Sequence, residues 1–355
     1  MDRAYWADQS PYVELIELAK KKRAAVLATI IEADGSTPQV PGASALFSED
    51  GLVCGTIGGG FVEAAAEKRA RRAFKKKEAF ICSFDLAGEP SEEADGICGG
   101  RLTVLLDARP ERDIPVFKRL REAAMNRRSG VLAVWIEKDR GRGTKKIIRH
   151  WIPKNFRPFH PSLQGFEKEI NGVIREGKPV LVKGKSGWLY LEPHLPLPRL
   201  VIAGAGHVGR AVARLGKLLR FEVIVVDDRP EFANAGRFPE ADQIIVAEVG
   251  NTLREIPVSK DTYIVLVTRG HRHDEEALRA CIKSRAAYIG MIGSARKVRL
   301  MRKRFINKGR CTAAEWARVR TPIGLPIGSK TVEEIAVSIA AELVAVRSRK
   351  KQEIA

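Results

Sequence analysis

The chain has 355 residues, 45% of them hydrophobic, and its 62 Lys and Arg residues outnumber its 43 Asp and Glu residues. This composition excludes a disordered chain and leaves room for two or three globular domains. The formal net charge of +19 favours an anionic small ligand or an acidic partner protein. The sequence disfavours nucleic acid as a partner, because the basic runs are not interleaved with aromatic residues as in RNA- and DNA-binding modules. The scarcity of Asn and Gln among many charged residues is typical of a thermophile's surface.

Targeting signals are not found in the sequence. No apolar run reaches the roughly 18 residues of a membrane span, and the first residues lack the basic-then-apolar pattern of a signal peptide. The five cysteines include no C-x-x-C pair, which argues against a disulfide scaffold and against a zinc ribbon. We therefore expect a cytoplasmic protein with free thiols.

The first half of the chain alternates helical and strand patterns. Ser10 followed by Pro11 predicts a helix start, because serine caps the first turn and proline fits its first position. Strand patterns follow, and a proline-punctuated linker begins at Glu192. We therefore predict a mixed α/β domain at residues 1–192 and a second domain at residues 193–355.

Three consecutive glycines, Gly58, Gly59 and Gly60, precede an alanine-rich helical run. Glycine leaves backbone N–H groups open to a ligand, and a helix start adds unpaired donors, so this loop favours an anion. The residues that follow are Phe-Val-Glu, not the Lys and then Ser or Thr of a Walker A loop. A tight strand-to-helix turn without a ligand explains the glycines equally well.

Three other residues of the first half are candidates for ligand binding. Ser36 lies in a loop rich in glycine and proline, which is typical of a functional loop. Glu63 lies in the first turn of the predicted helix and could accept two N–H groups from a guanidine-like ligand edge. Cys98 is followed by two glycines and could be a soft-metal ligand or a sulfur carrier. A buried, inert cysteine is the alternative.

The second half carries a strong nucleotide-binding signal. Gly204, Gly206 and Gly209 form G-x-G-x-x-G between an apolar strand and a helical run, and the next strand ends at Asp227. This is the dinucleotide fingerprint in its full βαβ context, and the later apolar runs predict a Rossmann-like, doubly wound parallel sheet of order 3-2-1-4-5. Asp227 favours NAD, since a carboxylate repels a 2′-phosphate, and the nearby Arg229 weakens that preference.

Polar residues follow three strands of this predicted sheet. His207 lies within the glycine pattern, His271 and Asp274 follow the fourth strand, and Gly293 and Ser294 follow the fifth. Because the carboxyl ends of parallel strands meet at the switch point, we expect these residues to line one crevice. The histidines and Asp274 could bind a divalent metal or transfer protons, and the Gly-Ser helix start suits phosphate. Alternatively, His207 contacts a cofactor phosphate and the others orient a loop.

Several motifs occur in order along the chain: GSTPQVPGA, GTIGGGFVE, DGICGG, LVIAGAGHVGRAVA, VVDDRPEFAN, TRGHRHD and YIGMIGSARK. With these motifs the chain resembles the XdhC/CoxI family of xanthine dehydrogenase accessory proteins over nearly its whole length. The resemblance implies a chaperone that binds the molybdenum cofactor, protects its sulfurated form and inserts it into a xanthine dehydrogenase-type molybdenum hydroxylase. The partners it implies are that hydroxylase and a cysteine desulfurase, and the implied assembly is a homodimer.

The implied cofactor is a pterin with a terminal phosphate and a dithiolene-bound molybdenum. Under this resemblance the triple glycine would cradle the anion, Glu63 would accept from the pterin's amide edge, and Cys98 would lie near sulfur or molybdenum. The alternative is an NAD(P)-dependent oxidoreductase that uses the Rossmann domain, with His207 or His271 as acid or base. Against it, the sequence shows no recognisable hydride-acceptor site, and a fold does not fix a function.

Overall fold

The computed structural model describes residues 10–86, 99–139, 143–154 and 163–353. The chain divides into two compact units, Arg3–Pro196 and Leu197–Ala355. Within the described residues, no helix has both the length and the apolar character needed to cross a lipid bilayer.

The amino-terminal unit contains two antiparallel sheets and four α-helices within its described residues. The first sheet has the strand order β3-β2-β1-β5-β4, and the second has the order β7-β6-β9-β8. The bounds are α1 (Pro11–Lys20), β1 (Val26–Asp34), β2 (Ser44–Ser48), β3 (Gly51–Gly55), α2 (Gly60–Lys76), β4 (Phe80–Asp85), β5 (Arg101–Asp107), α3 (Ile114–Met125), β6 (Gly130–Asp139), β7 (Gly143–Pro153), α4 (Glu167–Glu176), β8 (Val180–Lys183) and β9 (Gly187–His194).

Local sequence explains how the first elements of this unit start and pack. The Ser10 side chain accepts a hydrogen bond from the Tyr12 backbone N–H, so α1 begins where the serine and proline predicted it. Helix α2 buries one stripe made of Val62, Ala66, Ala70 and Ala73. Because three of these four side chains are methyl groups, α2 lies close against the first sheet. This packing fixes the position of the triple glycine at the start of α2.

The carboxy-terminal unit is a six-stranded parallel sheet with helices on both faces. Its strand order, β12-β11-β10-β13-β14-β15, contains the predicted 3-2-1-4-5 order and adds a short sixth strand. The bounds are β10 (Arg199–Ala203), α5 (His207–Leu218), β11 (Glu222–Asp227), β12 (Gln243–Val246), α6 (Val249–Glu255), β13 (Thr262–Leu266), α7 (Gly270–Cys281), β14 (Tyr288–Met291), α8 (Ala295–Asn307), α9 (Ala313–Ala317), β15 (Val319–Arg320) and α10 (Val332–Glu353).

The central strands of this sheet are apolar on both faces. Every residue of β13 is buried, and the apolar residues of β10 and β11 are buried as well. Such continuous apolar strands are typical of parallel sheets, because helices cover both faces. One core cluster lies around Phe305 and Trp316, and the other lies around Phe221 and Tyr263. The doubly wound α/β prediction is confirmed.

Candidate functional site

Three sequence motifs of the amino-terminal unit meet at the turn Gly35–Pro38. A Cβ atom added to Gly58 would lie 2.8 Å from Cγ of Pro38. One added to Gly100 would lie 2.6 Å from the backbone oxygen of Asp34 and would also overlap the backbone oxygen of Ser36. The loop after β3 therefore packs on the ring of Pro38, and the loop before β5 packs on the backbone of the same turn, so closely that only glycine fits at these two contacts.

The other two glycines of the triplet face open space. Gly59 and Gly60 have φ values of 68° and 46°, and a Cβ atom at either position would meet nothing within 4 Å. The first turn of α2 is closed by the Glu63 N–H, which donates to the Gly59 oxygen. Within the described residues, the N–H groups of Gly59 and Gly60 have no hydrogen-bond partner. Unpaired donors at the positive end of a 17-residue helix favour an anion, whereas the Glu63 carboxylate in the same first turn disfavours one.

Glu63 holds the turn between β3 and α2. Its Oε1 atom accepts hydrogen bonds from Thr56 Oγ1 at 2.5 Å and from the Ile57 backbone N–H at 3.3 Å. Thr56 Oγ1 in turn accepts from the Gly58 N–H at 3.2 Å. One carboxylate oxygen of Glu63 is thus used to shape the glycine loop, which the sequence did not predict. The other oxygen has no hydrogen-bond partner among the described residues, so a ligand can still use it.

Of the two loop candidates Ser36 and Cys98, the structure describes Ser36 alone. Ser36 is exposed on the turn Gly35–Pro38, where the motif loops meet. Cys98 lies outside the described residues, but the chain resumes at Gly99, whose backbone oxygen would be 3.2 Å from a Cβ atom on Gly35. A single cleft that contains Ser36, the triple glycine, Glu63 and Cys98 stays a prediction.

The four described cysteines are not activated thiols. All four are free, and burial raises the pKa of Cys54 and of Cys82 to about 11 and that of Cys281 to about 12. Burial also raises the pKa of Cys311. A thiol must lose its proton to act as a nucleophile or metal ligand, so none of these four is prepared for that role near neutral pH.

In the carboxy-terminal unit the three fingerprint glycines have two different roles. A Cβ atom on Gly204, where φ is 120°, would lie 2.6 Å from the Val267 carbonyl carbon, and one on Gly209 would overlap the Gly204 oxygen. These two glycines allow β10, α5 and the loop after β13 to pack closely. Gly206 caps α5 and has nothing within 4 Å of its Cβ position. Only Gly206 therefore leaves room for a ligand at the helix start.

Asp227 is bound by the protein itself. Oδ2 accepts from the Ala205 backbone N–H at 2.8 Å and from Arg229 Nη2 at 2.9 Å, and Oδ1 accepts from Arg229 Nε at 2.8 Å. Arg229 also lies over the Phe232 ring, 3.9 Å from its centre. Asp227 thus fixes the glycine loop, and Asp228, which is 40% exposed at its side chain, is the more accessible carboxylate at this strand end. The short spacing between Asp227 and Arg229 was the sequence signal for this pair.

These contacts change the acidity of Asp227. Burial raises the pKa of this carboxyl group, but hydrogen bonds from the Arg229 side chain and from the backbone N–H groups of Ala205 and Arg229 outweigh it and lower the pKa from 3.8 to about 2. A carboxylate with a depressed pKa contributes stability above its unfolded pKa and loses it as the pH falls through the folded value.

We expect Asp227→Asn to lower the free energy of unfolding of this unit by about 2 kcal/mol at pH 7, since the pKa shift is about two units. The difference from the wild type should shrink as the pH falls from about 5 to about 2. Urea unfolding at several pH values measures it, and Asp228→Asn is the matched control, with a smaller expected effect because Asp228 is exposed. A difference that is independent of pH would contradict this role of Asp227.

Asp274 follows the fourth strand of the parallel sheet and forms a buried ion pair. Its side chain is fully buried, Oδ1 accepts from Thr268 Oγ1 at 2.5 Å, and Oδ2 is 2.6 Å from Lys297 Nζ. Ser294 caps α8 by accepting from the Lys297 backbone N–H at 3.4 Å, as its place beside Gly293 predicted. The sequence did not predict the role of Lys297 as the partner of Asp274, because the two residues lie on different helices.

The structure describes the side chains of two of the three predicted metal ligands, His207 and Asp274. His207 is exposed at the first position of α5, and His271 lies in the first turn of α7 with its side chain outside the described residues. In the described part of the chain, no group of three or more His, Cys, Asp or Glu side chains could hold a metal ion. A metal site at His207, His271 and Asp274 stays a prediction, and Lys297 already neutralises Asp274.

Comparison with known proteins identifies the family. The model of the family described as "XdhC and CoxI family" matches residues 18–85, and that described as "XdhC Rossmann domain" matches residues 200–343. The chain belongs to the XdhC/CoxI family. The glycine triplet and the loop Gly35–Pro38 lie in the first matched segment, and the fingerprint crevice lies in the second. The loop before β5, with Gly100, lies outside both matched segments of this XdhC/CoxI chain.

Relatives of this XdhC/CoxI chain match it over nearly its whole length. It is 26% identical over 336 residues to a probable xanthine dehydrogenase subunit of Bacillus subtilis, a match that covers 94% of this chain and 96% of that protein. It is 23% identical to "Molybdenum cofactor insertion chaperone PaoD" of Escherichia coli, over 95% of this chain and 88% of that protein. It is 24% identical to "Uncharacterized protein YqeB" of Escherichia coli over 95% of this chain, which spans only 46% of YqeB.

A solved structure supports the same fold. The crystal structure of a protein described as a xanthine dehydrogenase from Bacillus halodurans has a TM-score of 0.76 with this chain at 24% sequence identity. The match covers 96% of this chain and 97% of the other. This XdhC/CoxI chain therefore shares its architecture with that protein.

Proposed function

We propose that this protein binds the molybdenum cofactor, protects it and delivers it to a xanthine dehydrogenase-type molybdenum hydroxylase. The observation that carries the proposal is the meeting of three motif loops at Gly35–Pro38, beside the unpaired N–H groups of Gly59 and Gly60. Family membership and the name of the relative PaoD, a molybdenum cofactor insertion chaperone, support the same function.

The donors and acceptors of the site fit the groups of this cofactor. The N–H groups of Gly59 and Gly60 suit a terminal phosphate, because they are unpaired and lie at a helix start. The remaining oxygen of Glu63 can accept from the amino and amide N–H groups of a pterin. Cys98, immediately before the described Gly99, would supply sulfur chemistry. Bound molybdenum would supply the redox chemistry to the client enzyme.

The proposed partners follow from this role. The client is a molybdenum hydroxylase that accepts the loaded cofactor, and a cysteine desulfurase is the proposed source of the terminal sulfur. We further propose that the protein acts as a homodimer. The excess of basic residues, with a formal net charge of +19, suits both an anionic cofactor and an acidic partner surface.

The test is to purify the protein from a host that makes the cofactor and from the same host with cofactor synthesis disabled. We expect molybdenum and pterin, measured by mass spectrometry and by fluorescence of the oxidised pterin, only in the first preparation. Addition of the loaded protein to a cofactor-free hydroxylase should restore its activity. Equal molybdenum and pterin content in both preparations would refute the proposal.

An NAD(P)-dependent oxidoreductase is the second candidate function. It is favoured by the parallel sheet and by the open space at Gly206, where the helix start can accept a pyrophosphate. It is disfavoured by Asp227, because both of its oxygens are already bonded and neither is left for a ribose hydroxyl.

If a dinucleotide binds in this crevice, Gly206→Val should abolish its binding without changing thermal stability. The φ of Gly206 is −71°, which valine adopts, and the new side chain would extend into open space. Calorimetry with NADH and NADPH measures binding, and a screen for NAD(P)H oxidation measures turnover. If the wild type binds neither dinucleotide at millimolar concentration, the fingerprint serves only packing.

A further inference from the structure

A cavity lies between the first and last helices of the carboxy-terminal unit, α5 and α10. Its volume is about 350 Å³, which is within the range of small-ligand sites. It shares only His207 with the predicted crevice. The lining residues are His207, Arg210, Ala211, Arg214 and Leu215 from α5, and Val332, Glu333, Ala336 and Val337 from α10.

The two helices run in the same direction. The cavity lies against the start of α10 and the first two turns of α5, whereas Arg347, late in α10, donates a hydrogen bond to the oxygen of Leu219 at the end of α5. Both helices therefore direct their positive ends toward the same end of the cavity. Each helix amino terminus is equivalent to about half an elementary charge, so the two together favour an anion.

The arginines of the cavity form no ion pair with the described residues. Arg210 Nε is buried without a hydrogen-bond partner, and within the described residues neither Arg210 nor Arg214 forms an ion pair. By contrast, the partly buried Arg229 of the same unit pairs with Asp227. Arg210 is partly buried and Arg214 is exposed, and these two guanidinium groups lie four residues apart on one helix face. Together they attract an anion to the cavity.

Apart from the arginines, His207 and Glu333, the lining is aliphatic. Ala211, Leu215 and Ala336 give the cavity aliphatic walls, and Val337 is 49% exposed at its mouth. Glu333 is the acidic residue of the lining. Aliphatic walls suit the faces of a flat ring, and a carboxylate suits its amino group.

We propose that this cavity binds an organic phosphate ester, with the phosphate held by Arg210 and Arg214 and a flat heterocycle held between the aliphatic walls. The two guanidinium groups and the two helix ends select a phosphate, and Glu333 selects a ring that carries an amino group. Guanine nucleotides and pterin phosphates share this chemistry. The proposal stands apart from the cradle at Gly59 and does not depend on it.

The experiment is calorimetry of the full chain with guanosine monophosphate, dihydroneopterin monophosphate, guanosine and inorganic phosphate as probes. We expect both phosphate esters to bind, guanosine and inorganic phosphate to bind more weakly, and Arg210→Gln/Arg214→Gln to weaken binding of the esters at least about tenfold. The tighter of the two esters identifies the source, nucleotide or pterin. Arg299→Gln, an exposed arginine on α8 outside the lining, is the matched control and should bind as the wild type does.

A second variant separates cavity shape from charge. Ala211→Leu fills part of the cavity, so it should weaken binding of the esters and leave binding of inorganic phosphate unchanged. Thermal melting checks that each variant is folded. The proposal is overturned if the wild type binds neither ester at about 5 mM, or if folded Arg210→Gln/Arg214→Gln binds the esters as tightly as the wild type.

Discussion

Gly59→Val is expected to reduce the molybdenum and pterin retained by the purified protein by about tenfold or more. The valine side chain would occupy the open space in front of the Gly59 and Gly60 N–H groups, where a Cβ atom now has no neighbour within 4 Å. Loss of two hydrogen bonds from N–H groups to a charged phosphate is sufficient for a loss of this size. Metal analysis and pterin fluorescence of variant and wild type, purified from the same cofactor-making host, measure it.

Backbone strain at Gly59 requires a matched control. Gly165 also has a positive φ, 89°, and open space at its Cβ position, but it lies outside the motif loops. Gly165→Val therefore imposes a comparable backbone penalty without blocking the cradle. We expect Gly165→Val to retain the cofactor and Cys98→Ser to show an intermediate loss. Equal retention in Gly59→Val and Gly165→Val would place the cofactor elsewhere.

Arg149→Ala is expected to destabilise the amino-terminal unit by about 3–5 kcal/mol. Arg149 on β7 is buried, and its Nη1 atom lies 2.5 Å from Asp107 Oδ2 and 2.7 Å from Asp113 Oδ2. Asp107 ends β5, so this ion triad joins the two sheets of the unit. Without the guanidinium, the buried Asp107 carboxylate and the partly buried Asp113 carboxylate would lose the cation that they share. Urea unfolding of the full chain measures the loss.

Two further variants separate buried charge from side-chain size. Arg175→Ala removes a guanidinium whose side chain is 74% exposed beside Glu176, and its expected cost is below about 1 kcal/mol. Arg149→Met combined with Asp107→Asn and Asp113→Asn removes all three charges, and we expect it to be more stable than Arg149→Ala. If Arg149→Ala proves no more costly than Arg175→Ala, the triad does not hold the two sheets together.

The Rossmann sheet could be predicted from sequence because its signals are local. Each apolar strand is followed within a few residues by the glycine, acid or helix cap that belongs to it, as Gly204 and Ser294 illustrate. The second sheet of the amino-terminal unit could not be predicted in the same way. Its strands β6, β7, β8 and β9 pair in antiparallel order, and the sequence patterns do not specify that order.

The sequence predicted which types of residue occur at the candidate sites, but it did not predict which residues contact one another there. The triple glycine predicted an open backbone, and Gly59 and Gly60 have it, whereas the packing of Gly58 on Pro38 joins two loops that sequence patterns cannot pair. The Lys297–Asp274 ion pair joins α7 to α8 across a strand. Such contacts depend on how elements are placed in three dimensions, and single-sequence periodicity carries no information about that placement.

The pairing of α5 with α10 has a consequence for folding during synthesis. Helix α5 is synthesised early in its unit, whereas α10 follows every other described element. Helix α5 therefore cannot pack against α10 until the intervening chain has been synthesised. Until then, the side chains of α5 that face α10, such as Ala211 and Leu215, remain exposed to solvent. Contacts between distant segments form late and leave apolar surface exposed to aggregation in the meantime. The nascent chain therefore depends on α10 both to bury this surface and to form the α5–α10 cavity.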